Sequence, residues 1–262
     1  MLEEMLNLQI VPLASLTLLE EEANPTEIYK LSERINKEKV QRNPIIITKL
    51  ENKYFVIDGL RRVLALHDLG CTHVLAQLVD YFSDDVRILK WAYNIFDTTV
   101  DEFKDRISTI KKIKVSESDE NIIATVFFNS GKLYINGDKN ELLAIAPEII
   151  RAFHDKKVVR LAKYHDPNEI YKAYSNNGLL IEFADIDKEK IVEAILSKKK
   201  ISLGHIRHSI RGRILMVNVD LALLKSKIST EEKNKILLEE IRTKMREGGI
   251  RYYSEPVFIF NE

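Results

Sequence analysis

Cysteine is nearly absent from this chain: Cys71 stands alone among 262 residues, which excludes an intramolecular disulfide and any metal cluster built on cysteine. That usage fits a reducing compartment, and the cytoplasm is the expected location. Net charge of either sign is missing too, since 40 Lys and Arg balance 40 Asp and Glu. Nothing global draws the protein toward nucleic acid or an acidic membrane, so any anion site must be local. No apolar run approaches the roughly 18 residues that would span a bilayer. Met1-Leu-Glu-Glu-Met-Leu carries acid where a secretory signal needs base, so neither a membrane span nor export is expected. Glycine and proline number only 9 and 6, and no linker tract or internal repeat marks a boundary. The six histidines lack ligand spacing, and no P-loop or dinucleotide glycine pattern occurs, which argues against structural zinc and the common nucleotide folds.

What is present is a globular composition, 45% hydrophobic, with helical and strand patterns in alternation. Asn24-Pro25 opens a helix carrying Ile28, Leu31 and Ile35 on one face. Residues 44–47 and 54–57 read as a hairpin, 59–70 as a helix ending at Gly70, and 73–80 as a strand. From 83 to 91 strand and helix patterns compete, and we read strand. A charged helix follows from Thr99 to about Lys112, then a hairpin over 122–128 and 132–135 and a helix over 139–154. Strands are expected at 179–183, 213–219 and 252–260, with helices ending at Lys198 and spanning Thr230 to Arg246 before Gly248-Gly249. The class is α+β, divided into residues 1–112 and a second α/β lobe over 113–262.

One segment concentrates chemistry: Asp58-Gly59-Leu60-Arg61-Arg62, at the exit of a strand and the entrance of a helix. Glycine lets the backbone turn sharply and approach a ligand, and the helix start aims free N–H groups and positive dipole charge at it. Arg61 and Arg62 add charge-assisted contacts suited to phosphate, and Asp58 could hold a magnesium ion that bridges phosphate oxygens. The competing reading makes Asp58 a plain helix cap and both arginines solvated surface.

Val56-Ile57-Asp58-Gly59-Leu60-Arg61-Arg62 followed by Leu66-x-x-Leu69-Gly70 resembles the phosphate-binding box of the ParB/sulfiredoxin superfamily. Within it, the free-serine kinases are the nearest likeness. Asp80-Tyr81-Phe82-Ser83-Asp84-Asp85-Val86 through Trp91 is similar to the stretch after the box in their archaeal members. Val11-Pro12-Leu13 with Leu18-Leu19-Glu20, and Arg42-Asn43-Pro44-Ile45, resemble the siderophore-pathway members. Arg207-His208, Ile210-x-Gly212-Arg213 and Leu221-Ala222-Leu223-Leu224-Lys225 are similar to the C-terminal part of the same kinases, with Arg207-His208 matching an Arg-His pair of the archaeal members.

This resemblance implies a ParB-like N-terminal lobe, and magnesium-dependent transfer of a phosphoryl group from ATP or ADP to free L-serine. Glu20 would be the catalytic base, though Glu21 and Glu22 adjoin it and a one-residue offset would move the role. Asp58 would organise the metal, and Gly59, Leu60, Arg61, Arg62 and Arg42 would hold phosphates. Arg207, His208 and Trp91 would meet the amino acid, the guanidinium suiting its carboxylate. One departure matters: Arg61 stands where the archaeal kinases have histidine, so no proton can be shuttled there. It also brings the box closer to the G-x-R-R of ParB partition proteins, which leaves a CTP-type, nucleotide-dependent DNA-binding regulator as the alternative. No helix-turn-helix or basic face supports that alternative, and nucleic acid is not expected as a partner. A homodimer is left open alongside the monomer.

Overall fold

The computed structural model describes residues 6–18, 25–129, 131–162, 178–197 and 206–253. Two main sheets organise it. The first has five strands, β1 (Leu8–Pro12), β2 (Leu16–Leu18), β4 (Ile45–Leu50), β5 (Lys53–Asp58) and β6 (His73–Val79), in the order β1-β6-β4-β5-β2. β4 and β5 form the expected antiparallel hairpin, while β4 lies parallel to β6 and β2 parallel to β5. A short ribbon joins β3 (Val40–Gln41) to β14 (Val219–Asp220).

One face of this sheet is covered by α1 (Pro25–Glu38), α2 (Leu60–Asp68), α6 (Leu221–Lys225) and α7 (Thr230–Arg246). Ile10, Ile45, Ile47, Val56, Val63 and Leu66 from the sheet and α2 meet Leu221, Leu224, Leu237 and Ile241 from the C-terminal helices. The reasons are local in α7. Ser229 and Glu232 form a reciprocal capping box at its start, and Gly248 takes a left-handed φ of 67° just past its end.

The second sheet is built around β7 (Val86–Phe96), with β8 (Ile113–Ser116), β9 (Ile122–Phe128), β10 (Gly131–Gly137), β11 (Val158–Ala162), β12 (Gly178–Phe183) and β13 (Ile206–Ile210). Its path runs β11-β7-β12-β9-β10-β8, and β13 pairs with the first half of β7. The helices α3 (Val100–Ile107) and α4 (Leu142–Arg151) cover it, with Phe103, Ile107, Ile145, Ile149 and Phe153 packed on Tyr93, Ile95, Val126 and Ile181. A third cluster, Ile46, Phe55, Ile57, Tyr81, Val86, Leu143, Ile210 and two residues of α5 (Lys188–Leu196), Ile191 and Ile195, joins the two halves.

Chain order and packing part company at two places. β7 and α3 lie before residue 112 yet contribute to the second core, and residues 219–246 return to the first. The strand expected at 213–219 is instead a loop: Met216 and Asn218 adopt left-handed φ angles of 61° and 60°, which break an extended run, and only Val219–Asp220 pairs. Its place in the sheet is taken by β13, just upstream. The helix from Thr99 stops at Ile107, and the charged residues after it lead into β8. The strand expected at 252–260 and the end of the helix reaching Lys198 fall outside the described residues. Among the described residues, no helix is long and apolar enough to cross a membrane.

Candidate active site

Asp58 ends β5, Gly59 turns the chain, and α2 begins at Leu60. Gly59 has a φ of 105°, and a Cβ there would lie 2.8 Å from Ile45 Cγ2 and 2.9 Å from Arg62 Nη2. Only glycine fits, for backbone and steric reasons together. No side chain caps this end of α2, so its first amides face the space beside Asp58 with the positive end of the dipole.

Two arginines converge on the same carboxylate oxygen. Arg213 Nη1 lies 2.5 Å from Asp58 Oδ2, and Arg62 Nη2 lies 3.7 Å from it. Neither engages Oδ1. Burial alone would raise the Asp58 pKa, but Arg213 and then Arg62 outweigh it and hold the carboxyl below the usual carboxylate range. Burial, reinforced by Arg213 and opposed by Asp58, pulls the Arg62 pKa down, and its Nε is buried without a hydrogen-bond partner. A buried guanidinium N–H left unpaired beside an open helix start is suited to an incoming anion.

Arg61, the neighbouring arginine, turns away: it lies 2.6 Å from Glu27 of α1, both side chains about half exposed. Arg42 is likewise engaged elsewhere, at 2.8 Å from Glu38. Glu20 lies outside the described residues.

Arg207 and His208 adjoin in β13, and strand alternation sends them to opposite faces. Arg207 lies over the Trp91 ring with its guanidinium carbon 5.4 Å from the centroid, and Arg160 lies over the same ring at 4.6 Å. His208 instead turns toward Asp58 and is buried. Its Nε2 is 3.0 Å from the Tyr81 hydroxyl, and the ring packs beside the Ile57 main chain. Burial is the main cause of a His208 pKa lowered to about 4; Asp58 opposes the shift and Arg213 adds to it. The imidazole is therefore neutral near pH 7 and, bonded to Tyr81, packs against the end of β5.

Sequence reasoning assigned no role to Arg213, Tyr81 or Gln77. The only available signal was that Gly212-Arg213 and Tyr81 fell inside stretches of resemblance. Gln77 donates from Nε2 to the Gly212 carbonyl at 3.0 Å and accepts from the Ile214 amide at 3.0 Å, bracketing Arg213. Among the described residues, no three His, Cys, Asp or Glu side chains group to hold a metal. A single carboxylate with a free oxygen still fits magnesium, which is commonly held by one or two carboxylates together with substrate phosphates.

No family model matches the chain. It is 22% identical to the ATP-dependent L-serine kinase SbnI of Staphylococcus aureus over 262 residues, covering 98% of each protein. It is 38% identical to an ATP-dependent L-serine kinase of Staphylothermus marinus over 73 residues, which is 27% of this chain and 29% of that enzyme. A 66-residue stretch is 33% identical to the ADP-dependent L-serine kinase SerK of Thermococcus kodakarensis and spans 27% of its length. The match thus spans less than a third of these archaeal relatives and nearly all of the staphylococcal one. Among solved structures, C-terminally truncated SbnI of Staphylococcus aureus superposes with a TM-score of 0.75 at 21% identity, covering 91% of this chain and 97% of that one. A free serine kinase in complex with AMP superposes at 0.66 with 19% identity, over 84% and 94% of the two chains. The mixed α/β architecture described above is the fold of these serine kinases.

Proposed function

We propose that this chain is a kinase that transfers the terminal phosphoryl group of ATP, or of ADP, to the hydroxyl of free L-serine, giving O-phospho-L-serine. The observation that carries this reading is the convergence at the start of α2: an uncapped helix end, a glycine with no room for a side chain, and Arg62 with an unpaired buried Nε beside Asp58. Such a site binds a polyphosphate by main-chain amides and guanidinium together. The likeness to curated serine kinases supplies the acceptor.

In this reading the nucleotide phosphates lie against Gly59, Leu60 and Arg62. Arg61 reaches them by exchanging its Glu27 contact, and Arg42 by exchanging Glu38. Asp58 would hold magnesium through Oδ1, and the metal would neutralise phosphate charge when bound. Glu20 takes the proton of the serine hydroxyl as its oxygen attacks phosphorus in line; positioning matters more than basicity, because the proton is transferred late in a loose transition state. Arg207 and Trp91, which the resemblance assigns to the serine carboxylate, lie on the face of β13 opposite Asp58, so a serine whose hydroxyl meets the phosphate is not brought to them, and His208 backs the Ile57–Asp58 segment from the near face. The alternative suggested by Arg61, nucleotide-regulated DNA binding, gains no support from that residue's ion pair with Glu27 of α1.

The test is direct. Purified protein is mixed with L-serine, magnesium and either ATP or ADP, and O-phosphoserine is sought by mass spectrometry, with Glu20→Ala in parallel. Phosphoserine from the wild type alone supports both the activity and the base. Its absence with both donors, under conditions where nucleotide binds, refutes the reading.

A further inference from the structure

Arg213 stands on a stretch without regular secondary structure that is nonetheless tied down at several points. The Arg211 amide donates to the Asp85 carbonyl at 2.8 Å, and Gln77 holds Gly212 and Ile214 at 3.0 Å each. The Met216 amide donates to Asn43 Oδ1 at 2.8 Å, Lys244 Nζ to the Val217 carbonyl at 2.6 Å, and the Asn218 amide to the Arg42 carbonyl at 3.2 Å. Left-handed backbone at Gly212, Met216 and Asn218 persists because these bonds over-determine it.

Register explains where this loop leads. Gln77 of β6, Ile46 of β4 and Asp58 of β5 are consecutive cross-strand partners, so they form one row across the first sheet. The loop crosses that row: Gln77 grips it on both sides of Arg213 at one end, and the Arg213 guanidinium reaches Asp58 at the other. Gln77 is buried, and a buried amide needs partners for both its oxygen and its nitrogen, which the loop main chain supplies. The grip resembles one step of a strand ladder made by a side chain. It fixes the Cα of Arg213 where a strand of this sheet could not run.

Arg213 uses one of its five N–H donors on Asp58 among the described residues, and its side chain is about one-third exposed. Its remaining donors lie at the same carboxylate toward which α2 opens. We infer that Arg213 is a catalytic cation of the phosphoryl transfer, donated in cis by the 211–218 loop, and that Gln77 is its positioning residue. This rests on the kinase reading above. As the serine oxygen–phosphorus bond forms, the bond from phosphorus to the bridging oxygen breaks. The electron pair leaves with the nucleoside diphosphate from ATP, or the monophosphate from ADP, and the hydroxyl proton goes to Glu20. Charge gathers on the transferred oxygens and the departing one, and a guanidinium that cannot lose its proton stabilises it without entering the proton balance.

The experiment uses the full chain and four variants, Arg213→Ala, Arg213→Lys, Gln77→Met and the Arg213→Ala/Gln77→Met double. Steady-state phosphoserine formation is measured beside calorimetric binding of ADP. Arg213→Ala is expected to lower kcat about 10³-fold, the size seen when a comparable arginine is removed from phosphoryl-transfer enzymes. The ADP dissociation constant is expected to move far less, and added guanidinium to restore part of the rate. Gln77→Met is expected to lower kcat in the wild type and to add nothing in the Arg213→Ala background. A kcat for Arg213→Ala within threefold of wild type overturns the inference, as does a loss carried wholly by nucleotide affinity. Equal effects of Gln77→Met in both backgrounds overturn the positioning role. If Gln77→Met fails to fold, Arg213→Lys decides: activity between that of alanine and wild type supports a placed charge, and wild-type activity overturns the need for a guanidinium fork. A wild type that makes no phosphoserine is a different failure, since it removes the kinase reading itself.

Discussion

Tyr81 and His208 lie 127 residues apart and share a buried hydrogen bond of 3.0 Å. Both side chains are buried, and each supplies the other with a polar partner that burial would otherwise deny it. Through His208, β13 packs against the end of β5, one residue before Asp58.

This arrangement predicts a pH dependence with a defined sign. The His208 pKa is about 4 in the folded protein against 6.5 for an unperturbed histidine, so between those values the unfolded chain binds the extra proton. Stability therefore rises with pH across that window, and acidification from 6.5 to 4 removes on the order of 3 kcal/mol through this residue. Asp58 adds to the loss at lower pH, because its depressed carboxyl must be protonated as pH falls below the ordinary 3.8. Urea unfolding of His208→Gln across pH 4 to 7 is expected to show a flatter slope than wild type. Equal slopes would mean that His208 is not buried neutral.

Gly59→Ala tests the turn. The substitution forces a non-glycine residue to a φ of 105° and places its Cβ 2.8 Å from Ile45 Cγ2. Backbone strain of this kind costs about 1–3 kcal/mol. The Arg62 guanidinium, 2.9 Å from the added carbon, is the easier group to displace. Expected outcomes are a lowered midpoint in thermal unfolding and at least tenfold weaker ADP binding by calorimetry. Unchanged affinity would place the nucleotide away from this turn.

The parts legible in the sequence are those written within one short stretch. Strand exit, glycine and helix start adjoin in Asp58 to Arg62, so local rules place them together. The bounds of α7 were readable because Ser229, Glu232 and Gly248 signal its ends. Arg213 was not readable as a partner of Asp58, 155 residues away, nor Gln77 as the partner of Ile214, 137 residues away. No periodicity encodes such contacts. The apolar run 214–219 looked like a strand because composition cannot show that Met216 and Asn218 take left-handed backbone to satisfy Asn43 and Arg42. Arg207 and His208 looked like one unit in sequence, and strand alternation divided them.

Lys233 carries a prediction remote from the site. Its side chain is fully buried, and Nζ donates to the carbonyls of Leu223 and Ser226 at 2.7 Å each and of Leu224 at 3.4 Å. These carbonyls lie at the C-terminal end of α6, where Ser226 and Thr72 also donate to Leu223 and Leu224. Lys233→Met keeps the stem; the Leu223 carbonyl retains the Ser226 hydroxyl and the Leu224 carbonyl retains Thr72, so the loss falls on the Ser226 carbonyl, at a cost of about 1–3 kcal/mol. Chemical denaturation is expected to show a loss of that order, with kcat per folded molecule unchanged. A variant as stable as wild type would show that water or main-chain rearrangement replaces the ammonium.

Trp91 is the only tryptophan in the chain, so intrinsic fluorescence excited at its absorption edge reports one position. The guanidinium groups of Arg160 and Arg207 both lie over its ring, at 4.6 and 5.4 Å from the centroid. A cation over an indole face perturbs the ring electrostatically, and moving it changes the emission. If Arg207 receives the serine carboxylate, the guanidinium shifts toward the ligand and its contact with the ring weakens. Titration with L-serine in the presence of ADP is then expected to give a saturable change in emission, and ADP alone a much smaller one, because the phosphate position proposed at the start of α2 is on the face of β13 opposite Arg207. Arg207→Ala should abolish the serine response while preserving the ADP affinity. A response that survives this substitution would place the amino acid away from Arg207, and a response to ADP as large as that to serine would place the nucleotide on the Trp91 face.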